Sequence, residues 1–267
     1  MYPRLAPAMV TLYWGFAGVR VLVGTCGFQR ARGMHYSNLD VLEVQQTFYD
    51  PRDLSLFSKW RSEAPQRFIF TVKAWMLVSH EPGRLWSRLK GPVPGDKGGY
   101  GGLRLTKENL WAWEETLKAV EVLGAPIVVV QTPPSFGYSE ANVDTVIKFF
   151  TSIDKRGRLT LWEPRGSWWG EVRALEVIAG KAGVLIGGDL LRGRLPPGGQ
   201  DVVYTRLHGL GGDEVNYRYR YTDEDLRRLL AVLESLKPGE AYILFNNIYS
   251  YDDALRFKSM VVEVQRG

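Results

Sequence analysis

Cysteine and histidine, which build many metal and nucleophile sites, are scarce in this chain of 267 residues. It has one cysteine, Cys26, and three histidines. A single cysteine excludes an internal disulfide framework and is typical of a reducing compartment, so we expect a cytoplasmic protein. We interpret Cys26 as a small buried hydrophobic side chain.

The sequence also lacks the patterns of several protein classes. No apolar run is long enough to span a membrane, and no basic start precedes an apolar stretch as in a signal peptide. No Gly-x-Gly-x-x-Gly turn follows the first predicted strand, which argues against an open dinucleotide-binding sheet. Without a His-Glu-x-x-His motif or a cysteine pair, we expect no cofactor; a divalent metal held by two carboxylates and one histidine is the alternative.

Large aromatic and basic residues are plentiful. There are nine tryptophans and thirteen tyrosines, the net charge is +5, and the sequence pI is near 9.2. This balance permits an anionic partner, either a small phosphorylated ligand or a nucleic acid, without requiring one. It gives no indication of the oligomeric state.

Short apolar segments recur along the chain with helical patterns between them. The predicted strands are Val21–Gly24, Val41–Val44, Phe68–Val72, Ile127–Val130, Leu159–Trp162, Val184–Gly187, Val202–Leu207 and Ala241–Phe245. Three- and four-residue apolar spacing predicts helices at Asp53–Ala64, Thr106–Leu123, Ser139–Ile153, Glu171–Lys181, Thr222–Leu236 and Asp252–Val264. Thr106, Ser139 and Thr222 are residue types that favour the start of a helix. Eight strands that alternate with helices predict an α/β fold, the (β/α)₈ TIM barrel.

We expect a single barrel domain over residues 21–267, with residues 1–20 as an extension packed outside it or across one end. The crossovers after the first and sixth strands look short or irregular. The connection after the third strand, Glu81–Leu105, is too long and too glycine-rich for an ordinary loop. It is either a lid or a tolerated insertion.

Polar residues follow nearly every predicted strand. In a TIM barrel the C-terminal ends of the strands meet at one rim, which carries the active site. The candidate catalytic residues at this rim are Glu43, Glu163, Asp189 and His208. The candidate substrate-binding residues are Lys73, Gln131, Arg165, Arg206, Asn246, Asn247, Tyr49 and Trp168.

The segment Arg158–Trp169 gives the clearest single signal. Its strand ends in Glu163, and Pro164 stops the strand because proline has no N–H to donate. Arg165 then places a positive charge close to the carboxylate. This pair is either part of a pocket or a structural ion pair that holds the loop.

Seven short motifs follow one another along the predicted barrel. They are Gly24-Thr-Cys-Gly-Phe28, Glu43-Val-Gln-Gln-Thr-Phe-Tyr49, Phe70-Thr-Val-Lys73 with Ser79-His80, Gln131-Thr-Pro-Pro-Ser-Phe136, Trp162-Glu-Pro-Arg-Gly-Ser-Trp168, Tyr204-Thr-Arg-Leu-His-Gly209 and Phe245-Asn-Asn247. In order and in residues they resemble the DUF72, or YecE-like, family. The resemblance implies a TIM barrel but no activity. Where the family often has Glu-Phe-Arg-His, this chain has Gly166 as the fourth residue, so a mechanism that needs that imidazole is excluded.

The mixed charges at the rim favour a substrate that contains phosphate. Lysine and arginine hold phosphate oxygens while a carboxylate or imidazole moves a proton. We therefore predict that Lys73, Arg165 and Arg206 bind one anion together. The corresponding enzyme would be a hydrolase or lyase that acts on a phosphorylated or nucleic-acid-type substrate.

Two other function classes stay open. The same basic rim would suit a non-catalytic protein that binds nucleic acid or another anion. In the loop Asn216–Tyr221, tyrosines and arginines alternate, so they either stack on bases or plug the barrel mouth. Glu43 and Glu163 would instead be the carboxylate pair of a carbohydrate-active enzyme.

Overall fold

A computed structural model describes residues 14–15, 18–212 and 214–266 of the chain. All eight predicted strands are present in it, with ends shifted by no more than two residues. They are β1 Val19–Cys26, β2 Val41–Val44, β3 Ile69–Lys73, β4 Ile127–Gln131, β5 Leu159–Glu163, β6 Leu185–Ile186, β7 Val202–Leu207 and β8 Glu240–Phe245.

The strands pair in parallel in the order β6-β5-β4-β3-β2-β1-β8-β7. The sheet curls until its two edges meet at an isolated parallel bridge between Gly188 and Thr205. Because β6 has only two residues, few hydrogen bonds join it to its neighbours, and the barrel is nearly rather than fully closed. The predicted TIM barrel is confirmed.

Helices cover the barrel from outside. They are α1 Arg32–Asn38, α2 Gln46–Tyr49, α3 Leu54–Glu63, α4 Met76–Ser79, α5 Lys107–Leu123, α6 Glu140–Ser152, α7 Val172–Ala182, α8 Asp223–Leu236 and α9 Ser250–Arg266. The six predicted helices correspond to α3 and α5–α9. Thr106, Ser139 and Thr222 each accept a hydrogen bond from the backbone N–H three residues later, which confirms them as helix N-caps. No helix of the described residues is both long and apolar enough to cross a membrane.

Strand alternation divides the core into two layers. The larger layer lies between strands and helices. The smaller one fills the barrel with Leu22, Cys26, Val41, Ile127, Val129, Leu161, Leu185, Tyr204, Tyr242 and Leu244. Cys26 is 3% exposed, so its predicted burial is confirmed. Because side chains two apart share a face, the last inward positions of the strands fall directly above this layer.

The crossovers after β1 and β6 are irregular, as predicted. The first holds only the short helix α1, and the second holds a single 3₁₀ turn, Leu190–Arg192. Most of the predicted extension, residues 1–20, lies outside the described residues. Its described end, Trp14–Gly15, pairs antiparallel with Val19 and Arg20, which already belong to β1.

The long connection after β3 is fixed to the barrel. The backbone N–H groups of Gly101 and Leu103 donate to carbonyls of α4 at 2.7 and 3.1 Å. Asn109, which is fully buried in α5, binds the Gly101 backbone with both its amide nitrogen and its amide oxygen, each at 2.9 Å. Tyr100 and Leu103 are also fully buried. These contacts favour an anchored insertion over a mobile lid.

Candidate functional site

Inward-facing residues at the C-terminal ends of five strands meet in the mouth of the barrel. They are Glu43, Lys73, Gln131, Glu163 and Arg206. Together with Arg165, from the loop after β5, we call them the charged layer. Its five charged side chains are between 0% and 7% exposed. Charges buried to this degree need partners, and the layer supplies most of them itself.

Arg206 bridges the two carboxylates of the charged layer. Its Nη2 lies 2.9 Å from Glu43 Oε1, and its Nη1 lies 2.8 Å from Glu163 Oε2. Nη1 also donates to Gln131 Oε1 at 2.9 Å. Burial by itself lowers the pKa of this guanidinium, but Glu163 and Glu43 outweigh burial and raise the pKa well above its usual value. Arg206 is therefore a permanent cation.

Glu163 is held from two sides. Arg165 Nη2 lies 2.5 Å from Glu163 Oε1, while Arg206 occupies the other oxygen. Burial alone would raise the pKa of Glu163, but the Arg165 and Arg206 guanidiniums outweigh it and hold that pKa well below its usual range. Glu163 is therefore ionised and engaged by two guanidiniums.

His208, the second residue after Arg206, is a neutral imidazole. Its Nε2 lies 2.8 Å from Arg165 Nη2. Because a guanidinium can only donate, Nε2 accepts this hydrogen bond and the ring proton is on Nδ1. Burial and the Arg165 guanidinium hold the pKa of His208 well below its usual range.

Asp189 lies behind the imidazole rather than within the charged layer. Its carboxylate accepts from the backbone N–H of His208 at 2.9 Å and from that of Leu191 at 3.2 Å. His208 Nδ1 is 3.9 Å from the same carboxylate. Burial raises the pKa of Asp189 to about 6, although the His208 N–H opposes the shift. Asp189 therefore orients the segment that carries His208.

Lys73 differs from the two arginines because no carboxylate of the described residues forms an ion pair with it. Its Nζ donates to Gln131 Oε1 at 3.0 Å and lies 3.9 Å from the centre of the Phe48 ring. Burial, followed by the nearby Arg206 guanidinium, lowers the pKa of Lys73 to about 7. Near neutral pH this amine is populated in both its charged and its neutral form.

The arrangement departs from the expected grouping of Lys73, Arg165 and Arg206 around one anion. Both arginines are already bound by carboxylates of the protein, because burying them in the barrel without counter-charges would be costly. Of these three cations, only Lys73 has no carboxylate partner among the described residues. Any anion would therefore meet Lys73 first.

Two supporting residues inside the barrel were missed by the sequence reasoning. Tyr204 donates its hydroxyl to Glu43 Oε2 at 2.8 Å, and Thr71 Oγ1 lies 2.7 Å from that hydroxyl. Tyr204 lies two residues before Arg206, and Thr71 lies two residues before Lys73. Because side chains two apart on a strand share a face, this spacing would have placed both on the inner face of the barrel.

Two further residues of loops support the layer. Gln45 Nε2 donates to Glu43 Oε1. Glu214 lies 3.6 Å from Arg165 Nη1 and accepts from Arg194 at 3.1 Å and from the Gly166 N–H at 3.1 Å. No periodic pattern marks Glu214, because it lies in an irregular loop that only the folded chain brings to the rim.

Four of the predicted substrate-binding residues lie outside the charged layer. Asn247 binds Tyr219 O at 2.7 Å and an Asp253 oxygen at 2.8 Å, and so ties the loop after β7 to helix α9. Trp168 is fully buried and packs 4.8 Å, centre to centre, from Trp162. The other two are Tyr49, whose hydroxyl accepts from Arg88, and Asn246, which is half-buried at the rim.

The tyrosines of Asn216–Tyr221 do not act as one group. Tyr221 is buried, and its hydroxyl accepts from the Gly209 N–H at 2.6 Å. Tyr217 is 47% exposed, and its ring centre lies 6.1 Å from that of His208. Tyr221 thus belongs to the core between strands and helices rather than to a plug of the barrel mouth, while Tyr217 is exposed beside the mouth.

The described residues contain no group of three or more His, Cys, Asp or Glu side chains placed to hold a metal ion. The site is instead rich in hydrogen-bond donors. Arg165 Nε, Arg206 Nε and His208 Nδ1 are buried and have no acceptor among the described residues.

Comparison with known proteins agrees with this architecture. The fold is similar to that of a DUF72 family protein from Enterococcus faecalis, with a TM-score of 0.66 and 16% sequence identity over 90% of this chain and 97% of that one. It is similar to that of a DUF72 family protein from Thermotoga maritima, with a TM-score of 0.63 and 23% identity over 90% of this chain and 98% of that one. The fold is also similar to that of a xylose isomerase domain-containing protein from Salmonella typhimurium, with a TM-score of 0.58 and 12% identity over 92% of this chain and 97% of that one. A search of curated proteins finds no match. The family model described as a protein of unknown function, DUF72, matches residues 29–266, so the chain belongs to the DUF72 family.

Proposed function

We propose that this TIM-barrel protein is a lyase for a small anionic substrate, with a phosphate-containing compound as the best fit, and that Lys73 transfers the proton. The main observation behind the proposal is that no carboxylate of the described residues pairs with Lys73, whose amine contacts only Gln131 and the Phe48 ring among the groups named above. A pKa near 7 lets the amine lose and regain a proton at neutral pH, which is what a general base requires.

The charge balance supports an anionic substrate. With Lys73 protonated, the charged layer holds three cations against the two carboxylates Glu43 and Glu163. Glu214 does not change this balance, because Arg194 is its nearer partner. One positive charge thus remains in a buried space, where its attraction for an anion is stronger than in water.

The geometry favours a lyase over a hydrolase or a glycosidase. A lysine base can remove a proton from carbon, whereas the carboxylates that would activate water are held by arginines. A glycosidase needs one protonated carboxylic acid beside a carboxylate. The low pKa of Glu163 makes it unsuitable as that acid, so the carbohydrate alternative would depend on Glu43 alone.

The test is a thermal-shift screen of the full chain against phosphorylated sugars and acids, each beside its unphosphorylated counterpart. We expect the phosphorylated compounds to raise Tm, since a ligand at a hundred times its Kd stabilises by about 2.7 kcal/mol. Lys73→Met should abolish the shift. Lys155→Met should keep it, because Lys155 donates to the carbonyls of Ala182 and Gly183 at the opposite end of the barrel.

Equal shifts from both members of each sugar pair would refute a role for the phosphate group. A full shift in Lys73→Met would remove Lys73 from the site.

A second candidate, binding of single-stranded nucleic acid, is favoured by one surface feature. Tyr217 and Tyr249 are 47% and 36% exposed beside the mouth, and the Arg220 guanidinium lies 5.5 Å from the centre of the Tyr249 ring. Such surfaces stack bases and contact phosphates. An oligonucleotide in the same screen should then shift Tm in Lys73→Met as well, with an effect that weakens as salt rises.

A further inference from the structure

We propose that Lys73 forms an imine with the carbonyl group of a small anionic aldehyde or ketone, so that it acts as a nucleophile as well as a base. This inference rests on the proposed function, because it uses the same site and the same amine. It narrows the substrate class to carbonyl compounds that carry a carboxylate or phosphate.

The main geometric argument is that two cations share one neutral acceptor. Gln131 Oε1 accepts from Lys73 Nζ at 3.0 Å and from Arg206 Nη1 at 2.9 Å. The two nitrogens are therefore no further apart than the sum of those distances, and two positive charges so close repel strongly. Arg206 cannot lose its proton, so the repulsion is relieved when Lys73 becomes a neutral amine.

Other groups around Lys73 act in both directions. The Phe48 ring, 3.9 Å away, and the carboxylates of Glu43 and Glu163 favour the ammonium form. Burial, Arg206 and Arg165 oppose it, and together they lower the pKa of Lys73 to about 7. The carboxylates are the weaker influence because they lie against the arginines. A large share of this amine therefore carries a free lone pair at neutral pH.

Lys73 is also placed to react. It is the last residue of β3, and its backbone carbonyl accepts from Thr47 Oγ1 at 2.7 Å, which fixes the strand end. The side chain points into the barrel mouth and is 7% exposed. Gln131 and Phe48 hold Nζ between them, so a substrate entering from the rim meets an oriented nitrogen.

The covalent step is balanced without a redox partner. The Nζ lone pair forms a bond to the carbonyl carbon while the C=O π pair moves onto oxygen. The oxygen gains one proton from water and the nitrogen returns one to water, which gives a neutral carbinolamine. A second solvent proton then converts the hydroxyl group to water, which leaves as the nitrogen lone pair forms the C=N bond. The protonated imine carries the same single positive charge as the ammonium it replaces, so it fits the layer and attracts the anionic group of the substrate.

The test is reductive trapping on the full chain. Pyruvate is an anionic ketone, and acetone is its neutral control; each is incubated with the protein and sodium cyanoborohydride at pH 7.5. Peptide mass mapping should find the pyruvate adduct at Lys73 on the order of a hundredfold more than at the exposed Lys107, because a pKa near 7 lies well below that of a lysine in a model peptide. Acetone should label Lys73 much less.

Two variants complete the design. Lys73→Arg keeps a positive charge but cannot form an imine, so the dominant adduct should disappear. Lys155→Arg should leave it unchanged; Lys155 is the matched control because burial lowers its pKa as well. If Lys73→Arg does not fold, the mapping on the unaltered chain still decides.

Four results would overturn the inference. An adduct spread evenly over the lysines, or one that survives in Lys73→Arg, would do so directly. If pyruvate raises Tm in a Lys73-dependent way but no adduct forms, the imine is refuted while the proposed function stands. If neither pyruvate nor the phosphorylated panel shifts Tm and no adduct forms, both proposals fail.

Discussion

At the scale of single residues, the site is a set of charges that stabilise one another. Glu163 shows this most directly, because its carboxylate binds Arg165 at 2.5 Å and Arg206 at 2.8 Å while only 3% of the residue is exposed. The sequence left two interpretations of the Glu163–Arg165 pair, a pocket element and a structural ion pair. The structure shows an ion pair that also lies at the rim, so the two interpretations do not exclude each other.

We therefore expect Glu163→Gln to destabilise the protein by about 3 kcal/mol, because it leaves two buried guanidiniums short of a counter-charge. Chemical denaturation of both proteins measures the difference. Glu63→Gln is the matched control: Glu63 pairs with Arg32 at 2.7 Å on the surface, where solvent screening makes the loss of an ion pair nearly neutral for stability. Equal losses in the two variants would show that the Glu163 pairs add little to stability.

At the scale of elements, strand pairing sets the positions from which the site residues project. β1 and β2 pair at Gly24 and Val41, and a Cβ at Gly24 would lie 1.8 Å from the Val41 carbonyl oxygen. The two strands approach this closely only because residue 24 has no side chain. The register places Glu43 beside Cys26 at the upper end of the same pair.

Gly24→Ala should therefore lower the free energy of unfolding by about 3 kcal/mol, since the backbone of β2 must move to make room. The control is Gly33→Ala in α1, where an added Cβ meets nothing within 4 Å and alanine favours the helix. Denaturant titration of both variants should show a loss only for Gly24→Ala. Equal stability of the two variants would contradict the prediction that β1 and β2 are too close together to admit a side chain at residue 24.

At the scale of the whole molecule, the number of paired residues between neighbouring strands varies around the barrel. β8 pairs with β1 and with β7 over six residues each, whereas β6 pairs with β5 over two and meets β7 only at the Gly188–Thr205 bridge. Asp189, which holds the His208 backbone, follows that bridge directly. The weakest seam of the barrel therefore lies beside the site.

Native-state hydrogen exchange should reveal this seam. We expect amides from Leu185 to Leu190 to exchange through local opening, well before those of Leu22, Val23 and Ile243, whose exchange should require global unfolding. Mass spectrometry of peptides from these strands measures the order. Uniform protection across β1, β6 and β8 would contradict the prediction.

The sequence by itself determined the fold and the place of the site. Apolar periodicity located eight strands and six long helices, Thr106, Ser139 and Thr222 marked helix starts, and polar residues after the strands marked the rim. These features are local, since period, capping and strand ends depend on residues a few positions apart. Parallel strands in a closed barrel then bring their ends together without further information.

Only the tertiary structure decided how the charges pair. Arg206 lies between Glu43 and Glu163, and Lys73 shares Gln131 with it, although these residues come from different strands far apart in the sequence. Coulomb energy and burial depend on distances that local periodicity does not encode. For the same reason Glu214 was not predicted, and Lys73, one of three equivalent cations in the sequence, became in the fold the one that no described carboxylate neutralises.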